Sequence, residues 1–208
     1  MAKRRLFIAV IFLLAGFAAP QAAKAEPGDN AVAFINSFGQ RAIDSLTKPG
    51  ISDQELIGNF RTLFEEGFDV AFIARSALGR FWRKATEMQR AEYVPLFEDY
   101  IVHIYAVQFR QYSGEKFVAQ SAREIPDGGF VVLSDVVLPD GPATKLEWAV
   151  FDVAGAQKIR DIKVEGVSMI TTYRDQFANT ILQSNGEVAG LIDALKQKTT
   201  QLAADGNN

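Results

Sequence analysis

The feature that most limits what this chain can fold into is a change of apolar period at Glu115. Upstream of it, apolar residues recur about every 3.6 positions, the spacing of one helix face. Downstream they alternate, the spacing of a half-buried strand. The chain makes this switch and then returns to the helical period after Gly166, which makes it an α+β protein with helices packed over a sheet.

The longest helical stretch runs from Thr86 to Tyr112. Its bulky residues Tyr93, Phe97, Tyr100, Ile101, Ile104, Tyr105 and Tyr112 fall on one stripe about 140° wide. Thr86-Glu87-Met88-Gln89 reads as a capping box and Ser113-Gly114 as the stop, so the helix spans about 25 residues. Four of these seven residues are tyrosines, whose hydroxyls need a partner or a wet rim. An ordinary core helix accounts for such a stripe, and so does the wall of a cavity. Gln108 projects near the stripe's middle and needs a polar partner there, whereas His103 lies about 120° away on the flank.

The first 25 residues read as a secretory signal peptide. Lys3-Arg4-Arg5 is the positive region, Leu6 to Ala19 an apolar run of 14, and Ala23-Lys24-Ala25 a cleavage site. Fourteen residues are too few to span a bilayer, which needs about 20, and no cysteine follows to carry a lipid. Cleavage removes four of the 22 basic residues and none of the 25 acids, leaving residues 26–208 as one domain of net charge −7. That charge argues against nucleic acid and against strong adsorption to anionic membranes. With no cysteine, the exported chain is held together without disulfides.

Before the long helix, a helix from about Asp29 to Lys48 carries Val32, Ile35, Phe38, Ile43 and Leu46. A capping box at Ser52-Asp53-Gln54-Glu55 starts a second, with Leu56, Phe60, Leu63 and Phe64, and Asp69 caps a third over Val70 to Leu78. Arg75, Arg80 and Arg83 form a basic cluster around Trp82, read as a solvated face. After Glu115, four strands over 116–124, 129–138, 143–153 and 157–165 are separated by short Gly- and Pro-containing turns, hence an antiparallel meander. Two helices close the chain, the first capped by Ser168, and the tail from Asp205 to Asn208 is expected to fray.

Few catalytic chemistries fit these residues. One histidine and no cysteine exclude His/Cys metal sites and a cysteine nucleophile, and neither of the glycine-rich phosphate loops occurs. Asp135, between Leu133 and Val137, is the best candidate for a buried base, with Ser134 as a local partner; Asp152 and Asp161 are weaker. By elimination the residues favour binding over catalysis, with no catalytic residue and no metal assigned.

From Phe68 onward the motifs resemble the MlaC family, exported phospholipid-binding proteins also called toluene-tolerance auxiliary proteins. The matching pieces are Phe68-Asp69, Ile73-Ala74, Ala77-Leu78-Gly79, Trp82-Arg83, the Thr86-x-x-Gln89-Arg90 helix start and Tyr112-Ser113-Gly114-Glu115. Asp140-Gly141, Lys158-Ile159, Asp161 and Val164-Glu165-Gly166-Val167-Ser168-Met169 follow, leading into Tyr173-Arg174 and Phe177. Together they cover residues 68 to 186 in order.

The resemblance implies a periplasmic carrier with bound phospholipid as cargo; a monomer is the plainer expectation for a shuttle, and no cofactor and no enzymatic activity are expected. It would shuttle lipid between an outer-membrane lipoprotein–porin complex and an inner-membrane ABC transporter complex, maintaining outer-membrane lipid asymmetry. The implied fold is α+β, with helices packed on a four-stranded antiparallel sheet enclosing an apolar lipid pocket. Phe72, Leu78, Trp82, Phe97, Ile101, Tyr105 and Phe109 are expected to line one side. Val132, Leu146, Trp148 and Val150, with Val167 and Met169, are expected to line the other. A related group linked to hopanoid biosynthesis shares these motifs, so a hopanoid-associated carrier is an alternative.

Two other readings stay open. One is a small apolar-ligand binder or isomerase-like enzyme of the cone-shaped helix-plus-sheet kind, with Asp135 as base and a cavity of about 300–500 Å³. The other is an exported adaptor with a solid core.

Overall fold

The computed structural model describes residues 27–139 and 141–205. The expected signal peptide, Asp140 of one turn and the last three residues of the tail lie outside the described residues. Among the described residues no helix is long and apolar enough to cross a membrane.

The chain opens with α1 (Pro27–Leu46), α2 (Asp53–Gly67) and α3 (Val70–Leu78), in the order that the three N-terminal apolar stripes predict. Ser52 and Glu55 form the capping box of α2, each satisfying the other's backbone N–H. Asp69 does three things at once. Its carboxylate caps α3 through the Phe72 N–H and accepts from Arg160 at 2.9 Å, and its own N–H donates to Ile159 O at 3.0 Å. It thereby fixes the start of α3 to the sheet.

The long helix is α4 (Glu87–Ala106), opened by the predicted Thr86–Gln89 capping box. It is shorter than its stripe suggests. After Ala106 the backbone tightens into a 3₁₀ turn, Val107–Gln111, and Tyr112 leaves the stripe to bond Glu115 O. Pro95 lies inside α4, where it removes one N–H from the helical ladder. Arg61 of α2 clasps α4 by donating to Glu98 at 2.7 Å and Asp99 at 2.6 Å.

The meander is β1 (Lys116–Ile125), β2 (Gly129–Val137), β3 (Ala143–Val153) and β4 (Ala156–Val164). A fifth strand, β5 (Val167–Ser168), joins it, so the sheet has five strands in sequence order rather than four. Glu165 and Gly166, both at positive φ, make the tight β4–β5 turn that the alternation alone does not reveal in so short a strand. Bulges interrupt β1 after Ala119 and β4 opposite Ala149–Val150. Facing residues follow the predicted parity: Val132, Leu146, Trp148 and Val150 all point inward, against the helices.

Ser168 caps α5 (Met169–Gln183), and α6 (Val188–Asp205) follows, keeping Asp205 within the helix. One core joins α3, α4, α5 and α6 around Tyr93, Phe97 and Phe177. A second lies where α1 covers the sheet, around Ile35, Val132 and Ile159. The space between these two cores is the site.

Candidate functional site: an apolar cavity between the helices and the sheet

Residues of α1, α2, α3, α4 with its 3₁₀ turn, β3, β4 and α5 wall a cavity of about 290 Å³. Phe38, Ala42 and Leu46 of α1 recur at four-residue spacing and so share one helix face toward it. Phe60, Leu63 and Phe64 of α2 stand beside them. Phe97, Ile101 and Tyr105 of α4, then Gln108 and Phe109 of the 3₁₀ turn, form a third wall. Leu146 and Trp148 of β3 with Ile162 and Val164 of β4 form the floor, and Met169, Ile170 and Tyr173 of α5 close the remaining side.

Ring packing shapes the cavity. Phe38 lies edge-on to Phe68 and Trp148, with centroids 5.7 and 6.4 Å apart, and Phe60 stacks on Phe64 and leans on Phe109 at 6.0 Å. Phe38 reaches this position because Gly67 offers no side chain: a Cβ there would meet the Phe38 ring at 2.4 Å. Of the lining residues, Gln108 and Val164 are exposed.

The polar groups around the cavity are turned away from it or paired. Trp148 Nε1 donates to Ser134 Oγ at 2.8 Å, on the same inner face. Arg160 bonds Asp69 and sits over the Phe72 and Phe151 rings at 4.5 and 4.7 Å. Asp161 accepts from Ser168 Oγ and from the Ile170 N–H, fixing the start of α5. The Tyr173 hydroxyl donates to that of Tyr105 at 2.9 Å. Burial pushes both phenols up, Tyr173 far above the ordinary tyrosine value, so both stay neutral. The surface facing the cavity is almost wholly apolar carbon, although Tyr105, Gln108, Arg160 and Asp161 contribute to its lining.

Of the expected lining residues, Phe97, Ile101, Tyr105, Phe109, Leu146, Trp148 and Met169 meet at this cavity. Six do not. Leu78 is buried in the helical core, Trp82 packs beneath Arg90, and Phe72 lies on the outside of α3 under Arg160. Val132 and Val150 face inward, but α1 covers them. Val167 is 60% exposed in the two-residue strand. Sequence reasoning missed the α1 and α2 walls and Tyr173, although the Phe38–Ala42–Leu46 spacing was the signal that could have found one of them.

The carboxylates once open to a catalytic reading have structural partners. Asp135 points outward and accepts from Gln120 rather than from Ser134, because neighbours on a strand face opposite sides. Asp152 accepts from the Gly155 N–H in its turn. His103 bonds Asp99 O within its own helix. Among the described residues no group of three His, Cys, Asp or Glu side chains is placed to hold a metal.

Residues 37–197 match the sequence profile of the family described as MlaC protein. A protein of Haemophilus influenzae, named intermembrane phospholipid transport system binding protein MlaC, is 24% identical over 137 residues, 64% of this chain. The match spans 63% of that relative's length. The solved structure of a phospholipid-binding protein from Ralstonia solanacearum, in complex with a phospholipid, superposes with a TM-score of 0.74 at 25% identity. That superposition covers 83% of this chain and 98% of the other.

Proposed function

Because the chain belongs to the MlaC family, we propose that it is a phospholipid carrier of the periplasm, made with a cleaved signal peptide and working as a single domain over 26–208. It shuttles lipid between outer-membrane and inner-membrane transport complexes to maintain outer-membrane lipid asymmetry, and it has no enzymatic activity of its own. The observation that carries this reading is a cavity whose surface is apolar, walled by aromatic and aliphatic side chains from helices and sheet. The names of the two similar proteins, one an intermembrane phospholipid transport component and one a phospholipid complex, support it.

The physical task is to keep hydrocarbon out of water. Each exposed methylene costs about 0.8 kcal/mol, so two chains of ~15 methylenes cost on the order of 24 kcal/mol. A carrier covers that surface yet releases it, so its pocket must match the free energy of the membranes and partner pockets at either end. The cavity of about 290 Å³ is smaller than a two-chain lipid requires, being at the lower edge of pockets for drug-sized molecules. Loading therefore parts the walls.

That same volume favours a second reading, a binder of small apolar ligands. Mass spectrometry of the exported protein, purified without detergent, tests both. A one-to-one phospholipid adduct establishes the carrier; a small apolar molecule of matching mass establishes the second reading, and a chain that stays bare when offered phospholipid vesicles refutes the carrier.

A further inference from the structure

We propose that the end of α3 and the start of α4 form a cationic docking surface for a carboxylate-rich segment of a partner protein. The inference does not depend on what the cavity holds. It rests on how the arginines of the chain are divided.

Residues 27–205 hold ten arginines, in two sets. Arg41, Arg61, Arg110, Arg123 and Arg160 each pair with an acid, and they are spread over α1, α2, the 3₁₀ turn after α4, β1 and β4. Arg75, Arg80, Arg83, Arg90 and Arg174 form no ion pair among the described residues, and these five stand together.

The fold assembles them from neighbouring elements. Arg75 lies in the last turn of α3, Arg80 and Arg83 in a 3₁₀ turn, Gly79–Arg83, that leads toward α4, and Arg90 in the first turn of α4. Arg174 reaches them from α5. Its side chain lies across Gly79, where an added Cβ would stand 3.1 Å from Arg174 Cγ, and its Nε donates to Ser76 O at 3.0 Å. Arg80 and Lys84 both sit against the Phe81 ring, 5.0 and 5.4 Å from its centroid, so Lys84 adds a sixth cation. Arg90 lies over Trp82 at 5.3 Å and donates from Nε to Trp82 O at 2.9 Å. Residues 75–90 thus carry five bases and one acid, Glu87, in a chain whose net charge over 26–208 is −7. Neither Glu87 nor Asp175, the acid next to Arg174, pairs with any of the six among the described residues.

Six cations without a counter-charge repel one another, a cost that a bound anion removes. Arg90 and Arg174 are tied through Nε, which leaves their two terminal nitrogens to fork onto a carboxylate. Carbonyl bonds and ring stacking hold these side chains in place before binding, so less rotamer entropy is lost when a partner arrives. Fixed forks suit the fixed carboxylates of a protein. Met88, at 80% exposure the most exposed large apolar side chain among the described residues, lies in the same stretch and suits the centre of a protein contact. An anionic bilayer also draws cations, but the net charge opposes adsorption, and one thioether is too little apolar surface to insert. None of the six lines the cavity, so the surface is separate from the ligand site.

The test is fluorescence anisotropy of a labelled deca-glutamate peptide with the purified exported protein at low salt. Arg75→Glu/Arg83→Glu reverses two exposed cations that make no side-chain hydrogen bond or ring contact among the described residues, so the fold is kept. It should weaken peptide binding about tenfold or more. Lys48→Glu/Lys116→Glu makes the same change in net charge at exposed positions outside the patch, and should alter binding by less than about twofold. Equal losses in the two double variants, or no peptide binding by the wild type, overturn the inference. Vesicles containing phosphatidylglycerol are offered in parallel, and binding to vesicles but not to peptide assigns the patch to a membrane and overturns it too. None of these outcomes touches the cavity, so the carrier reading stands or falls on its own test.

Discussion

The indole N–H of Trp148 donates to the hydroxyl of Ser134 at 2.8 Å, and the two residues face each other diagonally on adjacent strands beneath the cavity. Ser134 is the one buried polar side chain in its class among the described residues, 2% exposed, and the bond fixes the plane of the indole that forms the cavity floor. Ser134→Ala leaves a buried donor unsatisfied and should cost about 1–3 kcal/mol. Urea unfolding followed by tryptophan fluorescence measures it; an unchanged midpoint would show that the bond is not made in solution.

Leu146, from the floor, and Ile101, from α4, both line the cavity. A carboxylate at either point puts a charge against apolar walls, where its desolvation disfavours an acyl chain. Ile101→Glu and Leu146→Glu should therefore fold, by circular dichroism, yet bind no lipid. Lipid copurifying at the wild-type level with a folded variant would remove that residue from the site.

Gly67 bears directly on cavity volume. An added Cβ would stand 2.4 Å from the Phe38 ring, so Gly67→Ala must displace that ring, which packs against Trp148 and Phe68. Overpacking of this kind costs about 1–3 kcal/mol. The expected result is a folded protein with less lipid bound per chain by mass spectrometry. Full lipid occupancy would mean that Phe38 yields away from the cavity.

Glu98 links pH to the α2–α4 contact. Burial raises its pKa above the usual carboxylate value, Arg61 opposes this, and the neighbouring Glu65 carboxyl adds to it. The folded state thus holds the proton more tightly than the unfolded chain. The associated stability is present below the ordinary carboxylate pKa of 4.5 and is lost as pH rises through the higher folded value. Glu98→Gln, neutral throughout, should gain stability relative to wild type as pH rises from 4.5 toward neutrality. Thermal melts of both proteins across that range check the sign, and parallel curves would contradict it.

Much of this architecture was legible because local rules act within a few residues. The boxes at Ser52 and Thr86, the Asp69 cap and the strand parity around Trp148 each depend on side chains reaching nearby backbone or on the two-residue pleat. Parity tells which side of a sheet a residue faces and not what covers it. Val132 and Val150 faced inward as expected, yet lie under α1 rather than at the cavity. The apolar stripes of α1 and α2 were visible too, but a stripe does not name its partner, so Phe38, Phe60 and Leu63 went unassigned.

The cavity walls run from Phe38 to Tyr173 in the sequence, so nothing short of the assembled domain can hold cargo. A ligand that binds only the native state stabilises it by mass action, and more so the higher its concentration relative to Kd. Loaded and empty carriers therefore differ in lifetime as well as in content. If the protein is the carrier proposed above, proteases acting on transiently opened chains clear the empty form faster, and the standing pool of protein becomes a measure of the lipid on offer.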